Sequence, residues 1–215
     1  MIGLLNAYQL EKNSEPYQLQ YGSMFLNFLK SALPGQKVKT YLVALGELPS
    51  SVSECDGWII SGSPKGVYDN DPWIAALGGF VQEIARKKKP LIGVCFGHQL
   101  VAHFLGGRTE KSPKGWGVGV RKFDLIAHKP WMKPALSECS LIFSHQDQVV
   151  ALPKGAELLG KDDFCPYPIY SIENHVFCFQ GHQQEVCDQI HDSEPDREER
   201  QTQALQLGWT GLHDE

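Results

Sequence analysis

Apolar residues recur in two rhythms along this chain, and their alternation outlines a fold. Ile2 to Ala7 is a short, nearly continuous apolar run of the kind that forms a buried central strand. Ser14 then supplies an N-cap and Pro16 a first-turn residue. Tyr17, Tyr21, Met24, Phe25, Phe28 and Leu29 follow on one helical face, until Pro34-Gly35 stops the helix. Val38 to Ala44 predicts a second strand, and Gly57-Trp58-Ile59-Ile60 a third that ends in Ser61-Gly62-Ser63-Pro64. Asp71-Pro72 opens another helix, carried by Trp73, Leu77, Val81 and Ile84, which Pro90 prevents from running on. Leu91 to Val94 is a fourth strand. Leu100, Val101, Phe104 and Leu105 mark the helix behind it, closed by Gly106-Gly107.

The second half changes character. Val118 to Val120, Leu141 to Phe143, Gln148 to Leu152, Ile169 to Ile172 and Val176 to Phe179 predict short strands, with Asp162, Pro166, Pro168, Glu173 and Asn174 in the turns between several of them. After Gln180-Gly181-His182 the chain turns polar, and Ser193-Glu194-Pro195-Asp196 starts a charged helix through Leu207, ended by Gly208. Strand and helix alternate in the first half as they do in parallel α/β sheets. The expectation is an α/β protein with a mostly parallel central sheet, flanking helices and a β-rich second half. No repeat or low-complexity linker interrupts the 215 residues. One domain is expected, with its core over about 1–190 and the charged helix at about 193–207.

Charge and cysteine usage narrow the function classes. A net charge of -5 without a basic stripe argues against a nucleic-acid partner. The one basic run, Arg86-Lys87-Lys88-Lys89, falls at a predicted helix end, where cations complement the dipole. No apolar run approaches a membrane span, and the N-terminus, with no basic segment ahead of its short apolar run, is not expected to be a signal peptide. The six cysteines have no paired spacing and no Cys/His cluster has zinc-ligand spacing, so a reduced, cytoplasmic protein is expected, with neither metal nor cofactor.

The candidate chemistry sits at Cys95, in the one tight turn between a strand and a helix. Such an elbow displays its turn residue at the carboxyl edge of the sheet, where α/β proteins build their sites. Gly93 and Gly97 flank the turn and let strand and helix approach closely. The helix N-terminus favours thiolate over thiol, although a cysteine there could equally be packed as a small hydrophobe. The Ser61–Pro64 turn falls on the same edge and offers backbone N–H groups to an anion. A thiol needs a base. His182, just past the apolar strand Val176 to Phe179, is the best placed of eight histidines, and His145 follows another strand where it could line a pocket or cap a strand end.

Gly93-Val94-Cys95-Phe96-Gly97-His98-Gln99, together with Phe179-Gln180-Gly181-His182, resembles the class I glutamine amidotransferases. The nearest type is the stand-alone proteins similar to the glutaminase domain of GMP synthase. The likeness runs from about Ile2 to about Glu185 and includes Ser63 to Asp69 and Ser144 to Gln148. It implies a flavodoxin-like three-layer sandwich and a thioester mechanism on the side-chain amide of glutamine or another γ-glutamyl compound. By that resemblance Cys95 is the nucleophile and His182 the base. Phe96 and the Gly62-Ser63 turn form the oxyanion hole, and Gln99 and His145 bind substrate. No cofactor and no metal are implied.

The pattern departs at one place. The family's acid stands two residues after the histidine, and here that residue is Gln184; the first carboxylate is Glu185. In an extended segment the two point to opposite sides, so Glu185 does not simply replace it. An amide can fix a tautomer but cannot stabilise an imidazolium as a carboxylate does. Three readings follow. The chain is a stand-alone amidase acting on a small molecule, a glutaminase subunit serving a separate synthase chain, or a weakened binding homologue. Substrate choice is assigned to the loops at Lys111 to Gly119 and Ser144 to Gln148.

Overall fold

The computed structural model describes residues 1–8, 25–27, 29–31, 33–130, 132 and 135–181. In chain order the first strands are β1 (Ile2–Leu5), β2 (Val38–Tyr41) and β3 (Gly57–Ile60). Helix α1 (Pro72–Arg86), β4 (Leu91–Val94) and helix α2 (Phe96–Phe104) come next. Seven strands follow: β5 (Arg108–Lys111), β6 (Gly117–Leu125), β7 (Glu138–His145), β8 (Asp147–Ala151), β9 (Ala156–Lys161), β10 (Ile169–Ile172) and β11 (Val176–Phe179). Residues 25–27 and 29–31 are also helical.

Nine strands form one sheet in the order β2-β1-β3-β4-β11-β10-β9-β6-β7, while β5 and β8 pair separately. From β2 to β11 the neighbours run parallel. From β11 onward they run antiparallel. The mixed sheet therefore has the parallel half expected of the alternating first part and an antiparallel half from the β-rich second part. β1, β3, β4 and β11 are buried at every position, which is why they read as continuous apolar runs instead of alternating ones.

Alternation reappears in which face each residue serves. Ile2, Leu4, Ile59, Ile92 and Phe177 pack on one side with Phe25 and Leu29. Leu5, Trp58, Ile60, Leu91 and Cys178 pack on the other with Ile74, Leu77, Val81, Ile84 and Leu100. Helical segments cover both faces, giving the α/β three-layer arrangement. Gly3 makes this possible at one tight spot: a Cβ there would lie 2.2 Å from the Trp58 ring.

Several local expectations change. The second strand ends at Tyr41, and Val43–Leu45 is a 3-10 turn closed by Gly46 at φ 87°. Val43 N–H still reaches Asn6 O (3.1 Å), but the glycine's left-handed backbone turns the chain away from the sheet. Asp71 makes no side-chain cap on α1; its carboxylate pairs with Lys65 Nζ instead, at 2.9 Å. β5 and β9 were not expected. Arg-Thr-Glu-Lys carries almost no apolar signal and is a strand because β8 pairs with it; β9 is held in the same way by β10. The helix expected at 193–207 lies outside the described residues. Among the described residues, no helix is long and apolar enough to cross a membrane.

Candidate active site

β4 delivers Cys95 to the carboxyl edge in a backbone conformation that side chains rarely adopt, φ 51° and ψ -102°. Three things hold it there. Its N–H donates to Phe179 O (3.0 Å), tying the turn to β11, and its carbonyl accepts from Gln99 N–H (3.1 Å) in the first turn of α2. The third is close packing without side chains: a Cβ on Gly93 would lie 2.7 Å from Gly97 O, and one on Gly97 would lie 2.6 Å from Ile60 O. The elbow expected from the sequence is therefore present, and both glycines serve the close approach assigned to them.

Cys95 is 4% exposed, but it lines a cleft of 310 Å³. Burial pushes its pKa up to about 12, while the Phe96 N–H at the helix start and the Gln180 amide pull in the opposite direction. The helix N-terminus acts in the sense expected, but desolvation outweighs it, and the resting group is a thiol. Cys95 therefore requires a base to ionise near neutral pH.

One wall of the cleft is the turn after β3. Ser61, 1% exposed, accepts from Ala7 N–H (2.9 Å) through Oγ, and its own N–H donates to Leu5 O (3.2 Å). It joins the ends of β1 and β3 and so fixes where Gly62 and Ser63 lie. Gly62 is buried and Ser63 lines the cleft, its Oγ accepting from Lys65 N–H at 3.2 Å. The opposite wall is Ser144, His145, Gln146 and Asp147, where β7 passes into β8. His145 is 4% exposed, its ring against Phe143 (4.8 Å) and Phe164 (6.2 Å). Lys65, Lys111, Tyr68 and Asp69 also line the cleft, and Trp116, 65% exposed, stands among them at the mouth. The Tyr68 pKa is raised to about 12 by burial and by its hydrogen bond to the Asp147 carboxylate.

Gln99 lines the cleft, but its amide nitrogen is already engaged. Nε2 donates to Asp147 O (2.8 Å) and to Gln180 Oε1 (3.0 Å). Gln180, fully buried, in turn directs Nε2 at Cys95 Sγ (3.6 Å). The structure therefore brings Cys95, Ser63, Gln99 and His145 to one cleft, with Phe96 and Gly62 packed beside it. Two residues missed in the sequence join them, Gln180 and Asp147. Each had a signal: a polar side chain closing the apolar strand Val176–Phe179, and an acid inside the Ser144 to Gln148 segment. His182, Gln184 and Glu185 lie outside the described residues, which stop at Gly181 on this same edge.

No group of three or more His, Cys, Asp or Glu side chains among the described residues is arranged to hold a metal. His98, in the elbow helix, is fully buried with Nε2 2.8 Å from Tyr167 O, and burial lowers its pKa to about 4. It is a neutral packing residue. A carbonyl can only accept, so Nε2 carries the proton.

A strained cysteine between a buried parallel strand and a helix, facing an open polar cleft, defines the class: an α/β protein with a thiol elbow. The glutamine amidotransferase class-I family model matches residues 20–194, and the chain belongs to that family. Gamma-glutamyl peptidase 2 of Arabidopsis thaliana is 30% identical over 200 residues, covering 86% of this chain and 79% of that protein. The glutamine-hydrolysing GMP synthase of Campylobacter lari is 28% identical over 171 residues, covering 77% of this chain but 32% of that protein. A glutamine amidotransferase from Thermotoga maritima shares the fold with a TM-score of 0.71 at 15% identity, over 99% of this chain and 96% of that one.

Proposed function

We propose that the chain hydrolyses the side-chain amide of glutamine or of a related γ-glutamyl compound through a thioester on Cys95. The observation that carries this reading is the strained elbow that holds Cys95 in the lining of an open cleft. His182, the residue after Gly181, takes the thiol proton as sulfur attacks the amide carbon, and returns it to the departing nitrogen. The same imidazole then draws a proton from water, whose oxygen displaces the sulfur and releases the γ-carboxylate. The oxyanion of both steps is held by backbone N–H groups of Phe96 and the Gly62-Ser63 turn, donors that need not reorganise as charge develops.

Charge in the cleft suits the amino-acid end of such a substrate. The Asp147 carboxylate takes the α-ammonium, and Lys65 and Lys111 offer partners to the α-carboxylate. His145, part of this wall, is braced by the Phe143 and Phe164 rings and faces the substrate as the family resemblance implies. Gln99 acts through its neighbours, because both donors of its amide are already engaged. Glu185 is the first carboxylate after His182, with Gln184 in the usual acid position, so turnover should be lower than a Glu at 184 would give.

The relatives support the substrate class in two ways, since one is named a γ-glutamyl peptidase and another a glutamine-hydrolysing synthase. The chain spans about a third of the synthase, which favours a second reading in which ammonia is passed to a separate synthase chain. The test is a release assay across glutamine, glutathione and other γ-glutamyl amides, with Cys95→Ser as blank and with or without cell extract. Release without extract, absent in Cys95→Ser, supports the amidase. Ammonia from glutamine only with extract supports the subunit. An inert Cys95 that no glutamine-mimicking electrophile labels overturns both.

A further inference from the structure

The two buried amides beneath the thiol have orientations that can be assigned from their partners. The carbonyl of Asp147 can only accept, so the Gln99 atom 2.8 Å from it must be the NH2 group. That same nitrogen is 3.0 Å from the Gln180 side chain, which must therefore present its oxygen to it. The amide of Gln180 is planar, so its NH2 faces the other way, onto Cys95 Sγ at 3.6 Å. Its backbone is pinned independently, with the Gln180 N–H donating to Pro168 O at 2.8 Å. Both glutamines are buried, Gln99 at 3% exposure and Gln180 at 0%, so no bulk water competes for these groups.

We infer that Gln180 is a positioning residue for the thiol. Its fixed N–H holds the sulfur and stabilises the thiolate, and Gln99 and the Asp147 carbonyl prevent the amide from flipping. A flipped Gln180 would aim its oxygen at the sulfur, an acceptor facing a forming anion. The chain of amides also joins the nucleophile to the wall that carries Asp147, so order in that wall reaches the sulfur without any contact between them. Burial alone leaves the thiol hard to ionise, and a donor inside that apolar environment acts most strongly on the charged form. The inference rests on the reading of Cys95 as nucleophile.

The experiment is the pH dependence of Cys95 alkylation by iodoacetamide, read by peptide mass spectrometry, in the wild type and in Gln180→Met, Gln180→Glu and Gln99→Leu. Substrate is not needed. Gln180→Met keeps length and volume without a donor; Gln180→Glu keeps shape and replaces the donor with an acceptor. The expected result is a tenfold loss of thiolate near neutrality in Gln180→Met, read as roughly tenfold slower alkylation below ~pH 9 where the variants stay folded and equivalent to an upward shift of the midpoint by about one pH unit. Gln180→Glu should shift it further, and Gln99→Leu in the same direction by less. Circular dichroism selects the folded variants, and any one of them carries the comparison. A wild-type Cys95 that is unreactive at every pH defeats the nucleophile reading itself. A reactive wild type whose midpoint is matched by the folded variants overturns the role of Gln180 and leaves the function standing.

Discussion

Gly97 in the first turn of α2 lies so close to Ile60 at the end of β3 that a Cβ on the glycine would be 2.6 Å from the Ile60 carbonyl oxygen. The contact joins the helix behind Cys95 to the strand whose end carries Gly62 and Ser63. One missing side chain thus sets the separation between the thiol and the turn facing it.

Gly97→Ala should destabilise the protein by about 1–3 kcal/mol, because the obstacle is backbone and cannot rotate away. Urea unfolding measures it. Activity in folded Gly97→Ala should fall by at least a further tenfold, since the helix must move away from β3 and carry Cys95 with it. A control at Gly79, exposed inside α1 where a Cβ would meet nothing within 4 Å, should gain about 0.5–1 kcal/mol of stability on replacement by Ala and leave activity unchanged.

Stability should fall on the alkaline side. Burial raises the thiols of Cys95, Cys165 and Cys178 from 9.0 to about 12. A raised folded-state pKa stabilises fully below the unfolded value and loses that contribution as pH climbs through the folded one, so the window is pH 9 to 12. Tyr170, likewise raised by burial, acts in the same sense above its ordinary value of 10.0. The melting temperature should drop as pH rises from 9.0 toward about 12, and Cys178→Ala should flatten that drop while lowering the plateau.

His98 sets an acid limit. Its pKa is lowered to about 4 by burial, so its contribution is complete above 6.5 and is lost as pH falls toward 4. The expected measurement is a falling melting temperature across that interval, less steep in His98→Gln, which carries no titrating group.

Trp116 is the aromatic side chain at the cleft mouth, 65% exposed. On the proposed reading, an exposed ring lining the cleft is available to whatever the amide nitrogen carries. Trp116→Ala should raise KM several-fold for γ-glutamyl compounds with bulky leaving groups and leave glutamine nearly unchanged, as loss of one apolar contact does. Equal effects on both would assign Trp116 to the common part of the substrate.

The orienting residue of the base is open to a paired substitution. Gln184→Glu should raise kcat about tenfold or more, by supplying a carboxylate to the imidazolium. Glu185→Ala should cost less than Gln184→Glu gains. If turnover fails to rise in the first and vanishes in the second, Glu185 is the orienting residue.

Much of this was legible along the chain because it depends on neighbours in sequence. Fully buried strands need unbroken apolar runs, so Gly57–Ile60, Leu91–Val94 and Val176–Phe179 were bounded correctly. An elbow needs a small residue on either side of its turn, so Gly93, Cys95 and Gly97 identified themselves. β5 escaped notice because its four residues become a strand only through β8, a partner that lies far along the chain. The same holds for the balance at Cys95. The helix start is visible in sequence, but desolvation is a property of everything packed around the sulfur, and it reversed the expected tendency toward thiolate.

The sequence alone determined the alternation of strand and helix, the turn that carries the thiol, and the family to which the motifs point. Those features follow from backbone sterics and side-chain period, which act over a few residues. Tertiary structure decided that the sheet turns antiparallel beyond β11, that Asp147 faces the thiol's cleft, and that Gln99 reaches Gln180 and Gln180 reaches Cys95. Hydrogen bonds between residues 81 and 85 positions apart leave no periodic trace, because they depend on where strands lie beside one another in space.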